Sequence, residues 1–143
     1  MTRTPPGYIE GNHLLEGKTV LVTAAAGTGI GFATARRCAE EGATVMISDI
    51  HERRLGEAAD EIEKLTGARP PYLLCNVTEE DTVQQLVAAA ISQMGRIDVL
   101  INNAGLGDTT NIVDMTDEQW NAVLGITLTG TFRMIRATLP HMM

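Results

Sequence analysis

The sequence predicts an α/β fold, a doubly wound parallel sheet with helices on both faces. Short apolar, β-branched runs alternate with amphipathic helical stretches from residue 17 onward, and the first and last of those runs are apolar almost throughout. Such runs suit strands covered on both sides rather than strands with one face in water. Alternating strand and helix, joined by right-handed crossovers, stack as a parallel sheet between helix layers.

Residues 1–16 carry Pro, Gly and Asn without periodicity and read as an N-terminal arm; 17–143 read as one α/β domain. Strands are expected at 18–23, 44–48, 71–75 and 98–102. The first helix is expected at 31–41. A second, 53–65, places Leu55, Ala58, Ala59, Ile62 and Leu65 on one face; a third, 79–94, does the same with Val83, Leu86, Val87, Ala90, Ile91 and Met94. Thr78 is placed to cap the third helix and Gly95 to stop it. A last helix opens with the capping-box pattern Thr116-Asp-Glu-Gln119 and runs towards Pro140. Its middle crowds Gly125, Thr127, Thr129, Gly130 and Thr131, and each glycine there costs about 1 kcal/mol relative to alanine. Such a stretch is either kinked or kept small for the close approach of another group.

The 143 residues are 44% hydrophobic and 20% charged, an ordinary soluble composition large enough to bury a core. A net charge of −7 argues against a nucleic-acid surface, which needs clustered Lys and Arg. Arg36-Arg37 and Arg53-Arg54 read as solvated helix faces. No run of about 18 apolar residues occurs, and residues 1–11 are polar with Pro5-Pro6, so no membrane segment is expected and the location is expected to be cytoplasmic. Cys38 and Cys75 lack metal-ligand spacing and read as reduced, packed thiols, a disulfide being the minority reading. His13, His51 and His141 are scattered without an Asp or Ser partner and read as surface residues. No metal site is expected.

The most informative cluster is Gly27-Thr28-Gly29-Ile30-Gly31. It follows the strand-like run Lys18-Thr-Val-Leu-Val-Thr23 and opens a helix. Glycine lacks Cβ, so such a loop turns tightly and lets its N–H groups touch a pyrophosphate, towards which the helix directs its partial positive end. Asp49 stands about 20 residues beyond the loop, at the end of the second apolar run, where a carboxylate accepts hydrogen bonds from a ribose 2′-hydroxyl. The same carboxylate repels the 2′-phosphate of NADP, so NAD is the expected cofactor.

Together these features resemble the short-chain dehydrogenase/reductase family over nearly the whole chain from Leu15 onward. Asn102-Asn-Ala-Gly105, directly after the fourth strand, is the strongest match. In the family this tetrad supports the central sheet and sets backbone beside the adenosine ribose, which implies roles for Asn102, Ala104 and Gly105. Asn76-Val77 looks like the family's adenine-contacting Asp-Val pair, with an Asn whose carbonyl can still accept the adenine amino proton. The glycine loop departs from the family's Thr-Gly, three residues, Gly-x-Gly. It fits with one extra residue, or with Ala24-Ala25 replacing Thr-Gly. The longer loop is preferred, because a left-handed alanine costs about 1 kcal/mol or more and the longer loop can shift that strain to Gly27. Thr28 stands where NADP-using relatives often carry a base.

The resemblance implies hydride transfer between a nicotinamide and a secondary alcohol or ketone, with a Ser and a Tyr-x-x-x-Lys as catalytic groups. Those groups are absent: Asn12 and Asn76 stand four residues after Tyr8 and Tyr72. No catalytic residue is therefore assigned, and Thr127 occupies the position of the family's helix Asn. The chain is expected to be the amino-terminal half of such an enzyme, with strand order 3-2-1-4, truncated before a fifth strand and inactive alone. An open apolar edge, with Val123, Leu124, Leu128 and Ile135 exposed, then predicts association with a second copy or with a missing carboxy-terminal half. The cofactor-side segments look most like actinobacterial members acting on CoA-linked hydroxy-indane propionates in sterol-ring breakdown. Alternatives are a 3-oxoacyl thioester reductase, an NAD-binding module without turnover, and a fragment that binds nothing.

Overall fold

The four apolar runs form β1 (Thr19–Val22), β2 (Thr44–Asp49), β3 (Tyr72–Leu74) and β4 (Val99–Ile101), paired in parallel in the order β3-β2-β1-β4. The structure is a computed structural model that describes residues 7–107 and 109–143. Asp49 is the last residue of β2 rather than the residue after it. The helices are α1 (Ile30–Glu40), α2 (Glu52–Thr66), α3 (Glu80–Met94), α4 (Asp117–Leu124) and α5 (Thr131–Thr138).

β1 is buried along its whole length, and its side chains alternate between two cores. Val20 and Val22, with Val45 and Ile47 of β2, pack beneath Leu55, Ala58, Ala59 and Ile62 of α2. Leu21 and Met46 face the other way, onto Val83, Leu86, Val87 and Ala90 of α3 and Met134 of α5. Each such aliphatic side chain contributes about 1.5–3 kcal/mol on burial. Cys75 lies in the second core and Cys38 packs against the first, so the sheet separates the two free thiols.

β4 is the open edge that the order 3-2-1-4 implied, though less covered on its faces than its apolar run suggested. It pairs only with β1 among the described strands, and its three residues are half-buried. Thr78 does not cap α3. Glu79 is the cap residue, without a side-chain hydrogen bond, while Thr78 N–H and Oγ1–H both donate to Asn76 Oδ1. Gly95 does stop the helix, at φ 81° with its N–H on Ile91 O.

The last helical stretch is interrupted as its composition suggested. The capping box forms, with Thr116 Oγ1 accepting Gln119 N–H and Gln119 Oε1 accepting Thr116 N–H. Gly125–Gly130 then widens to a π-helix before α5. Both readings of the glycines hold: the helix is distorted, and a Cβ on Gly130 would lie 2.6 Å from Val77 Cγ2. Val123 and Leu124 are half-buried, not exposed as expected, whereas Leu128, Ile135, Trp120 and Phe132 are exposed. No described helix is long and apolar enough to cross a membrane.

Residues 7–16 dock on the end of α1, which revises the reading of Arg36 and Arg37 as solvated charges. The Arg36 guanidinium stacks 4.7 Å from the Tyr8 ring, and Arg37 donates to Ile9 O at 2.6 Å and pairs with Glu41. Glu41 Oε2 accepts Asn12 N–H at 2.7 Å and Leu14 N–H at 3.2 Å. Arg53 by contrast pairs with Glu57 on an open surface.

The backbone donors of Asn12 and Leu14, and then Arg37, hold the Glu41 carboxyl below the usual glutamate range. A depressed folded-state pKa contributes stability above the unfolded value and loses it as pH falls through the folded one. The arm is therefore expected to stay docked at neutral pH and to become protease-sensitive below about pH 4. Glu41→Gln should bring the same cleavage at neutral pH; equal resistance of both proteins at pH 7 and pH 3.5 would show that Glu41 does not hold the arm.

Candidate functional site

The carboxyl ends of all four strands meet at one cleft of about 210 Å³, lined by Ala24, Asp49, Ile50, His51, Cys75, Asn76, Val77, Ala104, Gly105, Leu106 and Ile126. In an open parallel sheet this crevice is where ligands bind.

Its floor is set by Thr23 and Asn103. Thr23 Oγ1, buried, accepts the N–H groups of Asn103 and Ala104, each at 3.0 Å. Asn103 Nδ2 donates to Thr23 O at 3.2 Å and Ala24 O at 2.9 Å. Thr23 thus directly follows β1 and ends the strand. The expected shift of strain to Gly27 does not occur: Ala24 is left-handed at φ 51°, and Gly27 is left-handed as well at φ 80°. Asn103 pins the Ala24 carbonyl, so the alanine cannot relax without breaking that bond.

The loop leads into α1 at Gly29, which has no side-chain cap, and Ala33 N–H is the first to bond back, onto Gly29 O. The N–H groups of Ile30 and Gly31 are thus first-turn donors of the helix, the arrangement that holds a diphosphate. Gly31 also has no room for a side chain, since a Cβ would lie 2.3 Å from Ala24 O and 2.4 Å from Asn103 Nδ2. Thr28, Gly29 and Ile30 are exposed on the outer side of the loop.

Asp49 is only 9% exposed. Its Oδ2 accepts Ala26 N–H at 3.0 Å, and its Oδ1 accepts Ile50 N–H at 2.8 Å and His51 N–H at 3.1 Å. The carboxylate therefore lies against Ala26, the residue before the bend. Its backbone partners were not expected.

At the far end, Asn76 Oδ1 takes both Thr78 donors and Nδ2 donates to Glu79 Oε1 at 2.8 Å. An amide oxygen has two lone pairs, so the Asn76 carbonyl expected to accept an adenine amino proton is already committed, and the amide turns a donor outward instead. Val77 is buried against Gly130. Burial pushes the nearby Cys75 thiol up, opposed by its contact with Thr82 Oγ1.

Within Asn102-Asn-Ala-Gly105 the labour divides unexpectedly. Asn102 Oδ1 is buried without a hydrogen-bond partner among the described residues, while Asn103, quoted only as part of the tetrad, carries the clamp. Ala104 and Gly105 line the cleft. Thr127, in the π-helix, accepts Leu106 N–H at 3.1 Å and faces Leu106 O at 3.4 Å, tying the last helical stretch to the loop after β4. Sequence reasoning did not place Thr23, Ala24, Ile50, His51, Cys75, Asn103, Leu106 or Ile126 in the site; of these, Thr23, Ala24 and Asn103 lay inside quoted motifs.

The short chain dehydrogenase family matches residues 18–143. The chain is 54% identical over 136 residues to a Mycobacterium tuberculosis (5R,7aS)-5-hydroxy-7a-methyl-1-oxo-2,3,5,6,7,7a-hexahydro-1H-indene-carboxyl-CoA reductase, covering 95% of this chain and 52% of that protein. It is 43% identical to the Thermotoga maritima 3-oxoacyl-[acyl-carrier-protein] reductase FabG, covering 90% and 51%. A short chain dehydrogenase structure from Mycobacterium smegmatis superposes with a TM-score of 0.92 at 53% identity, covering 96% of this chain and 57% of that one. A short chain dehydrogenase from Shigella flexneri complexed with NADP superposes at 0.82 with 32% identity, covering 90% and 55%. The chain spans about half the length of the curated relatives it matches.

Ala24→Gly is expected to raise unfolding stability by about 1 kcal/mol, because glycine adopts the left-handed conformation without the Cβ penalty. Denaturant titration checks it, and a loss of stability would show that Ala24 is unstrained. Thr127→Val is expected to speed hydrogen exchange at the Leu106 amide about fivefold, the worth of one modest hydrogen bond, while Thr127→Ser keeps the wild-type rate. Equal rates in all three proteins would release Thr127 from its link to the loop.

Proposed function

Because the chain belongs to the short-chain dehydrogenase family, we propose that it is the cofactor-binding half of an NAD-dependent oxidoreductase. The observation that carries this reading is the bond of the Asp49 carboxylate to Ala26, in the loop that ends at the uncapped N-terminus of α1. Ile30 and Gly31 supply N–H donors to the diphosphate, with Gly27, Thr28 and Gly29 shaping the approach. Asp49 retains lone-pair capacity for a ribose 2′-hydroxyl; Asn76, Val77, Ala104 and Gly105 wall the adenosine end, and Asn102 backs the same strand end. These residues fit a nicotinamide dinucleotide, which when bound supplies the hydride acceptor or donor.

NAD is favoured over NADP because Asp49 sets a negative charge where a 2′-phosphate would lie. Two unit charges about 4 Å apart repel by roughly 1–4 kcal/mol between bulk water and a protein surface. One neighbour of this fold is complexed with NADP, so the preference for NAD in this chain rests on Asp49 alone.

For the whole protein the reading is hydride transfer between NAD and a secondary alcohol or ketone on a steroid-derived CoA thioester. The 54% identity to the indene-carboxyl-CoA reductase supports it. The FabG likeness favours a second reading, reduction of a 3-oxoacyl thioester. This half holds no Tyr-x-x-x-Lys and is inactive by itself in either reading. Exposed Trp120, Leu128, Phe132 and Ile135, beside the open β4 edge, support association with a second copy or with a carboxy-terminal half.

Calorimetric titration of the chain with NAD is expected to saturate, with NADP about tenfold weaker or worse. Gly31→Ala should weaken NAD by at least about tenfold while circular dichroism stays unchanged, because the added Cβ drives Ala24 O away from its place. Equal affinity for both dinucleotides would remove the NAD assignment; no heat with either would favour a fragment that binds nothing.

A further inference from the structure

We infer that Asp49 is a positioning residue that latches the glycine loop in place, over and above any contact it makes to a ribose. A carboxylate that served only as a hydroxyl acceptor would point both oxygens into the cleft. Here it is nearly buried and bonded to three backbone N–H groups from two chain segments. One oxygen holds Ala26, the residue before the bend; the other holds Ile50 and His51, the entry to α2.

The loop needs such a tether because it is long. Ala24 is fixed by Asn103 and Gly29 by the helix that follows, and among the described residues the intervening ones reach β2 through two bonds, Ala25 N–H to Ser48 O at 3.0 Å and Ala26 N–H to Asp49. The second bond is charge-assisted and so the stronger of the two kinds. Removing the carboxylate leaves three N–H donors in a half-closed crevice without their partner. The loop's geometry and the discrimination of 2′-hydroxyl from 2′-phosphate therefore sit on one side chain. A substitution that removes the charge to admit a 2′-phosphate also frees the loop that holds the diphosphate.

The latch stands on the geometry of the chain alone; its bearing on nucleotide affinity rests on the cofactor reading above. Two experiments separate them. Amide hydrogen exchange on the ligand-free chain compares wild type, Asp49→Ala and Asp49→Asn, with the amides of Leu21 and Met46 reporting whether the fold is intact. In Asp49→Ala the amides of Ala26, Ile50 and His51 should exchange about tenfold faster or more against unchanged references. Asp49→Asn keeps the shape but only one acceptor oxygen, so either Ala26 or the Ile50 and His51 pair should accelerate, not both. This variant decides the matter if Asp49→Ala fails to fold. Unchanged exchange at all three amides overturns the latch.

The second experiment titrates the same proteins with ADP and 2′-deoxy-ADP, which share a diphosphate. A latch predicts that Asp49→Ala weakens 2′-deoxy-ADP as well as ADP, with any extra loss for ADP reporting the hydroxyl contact; loss confined to ADP reduces Asp49 to a hydroxyl reader and overturns its positioning role. Wild-type chain that binds neither nucleotide sinks the cofactor reading, and the exchange data still decide the latch.

Discussion

The clamp between Asn103 and the residues at the end of β1 is the interaction on which the rest of the site depends. One amide group donates to two successive carbonyls, Thr23 and Ala24, while the Thr23 hydroxyl accepts two successive N–H groups in return. These bonds fix where β1 stops, hold Ala24 in a conformation alanine avoids, and bring the Ala24 carbonyl close enough to Gly31 that only glycine fits there. A buried network of this kind is rigid because every member is satisfied, and breaking one bond orphans its neighbours. The bend is thus set by the segment after β4, far from it in sequence, as much as by its own glycines.

Beyond the clamp, two tethers complete the cleft. Asp49 joins the loop to the end of β2, and Thr127 joins the last helical stretch to the segment after β4. The π-helical turn lets Gly130 close on Val77 and brings Ile126 to the cleft wall. A regular helix of the same residues would advance these side chains at 3.6 per turn and present a different set. The weak helix formers at 125–131 are thus a means of shaping the cleft, and their cost in helix propensity is met by packing against β3's continuation at Val77.

The opposite side of α4, the π-turn and α5 is apolar and open, and α4 buries no residue fully. This half of the molecule is consequently less held by its own contacts than β1, β2, α2 and α3, which share two filled cores. The asymmetry follows from topology: β1 is covered on both faces and both edges, β4 on one edge only.

Periodicity and turn chemistry in the sequence were sufficient for the alternation of strands and helices, the helix faces, the Gly95 stop, the capping box and the oddity at 125–131, because each depends on neighbours within a turn or two; the strand order followed from the family resemblance. The glycine loop and Asp49 were legible as a pair for the same reason, their spacing being that of one strand–helix–strand unit. What tertiary structure alone decided were the matters settled by groups distant in sequence. Asn103 and not Asn102 carries the clamp, Ala24 keeps the strain that the longer loop was expected to shed, and Thr78 bonds to Asn76 rather than capping α3. Arg37 and Glu41 hold the arm instead of facing water. The physical reason is common to all four: a hydrogen-bonding group chooses among partners by where the packed sheet and helices bring them, and local sequence lists the donors and acceptors without saying which of them will meet.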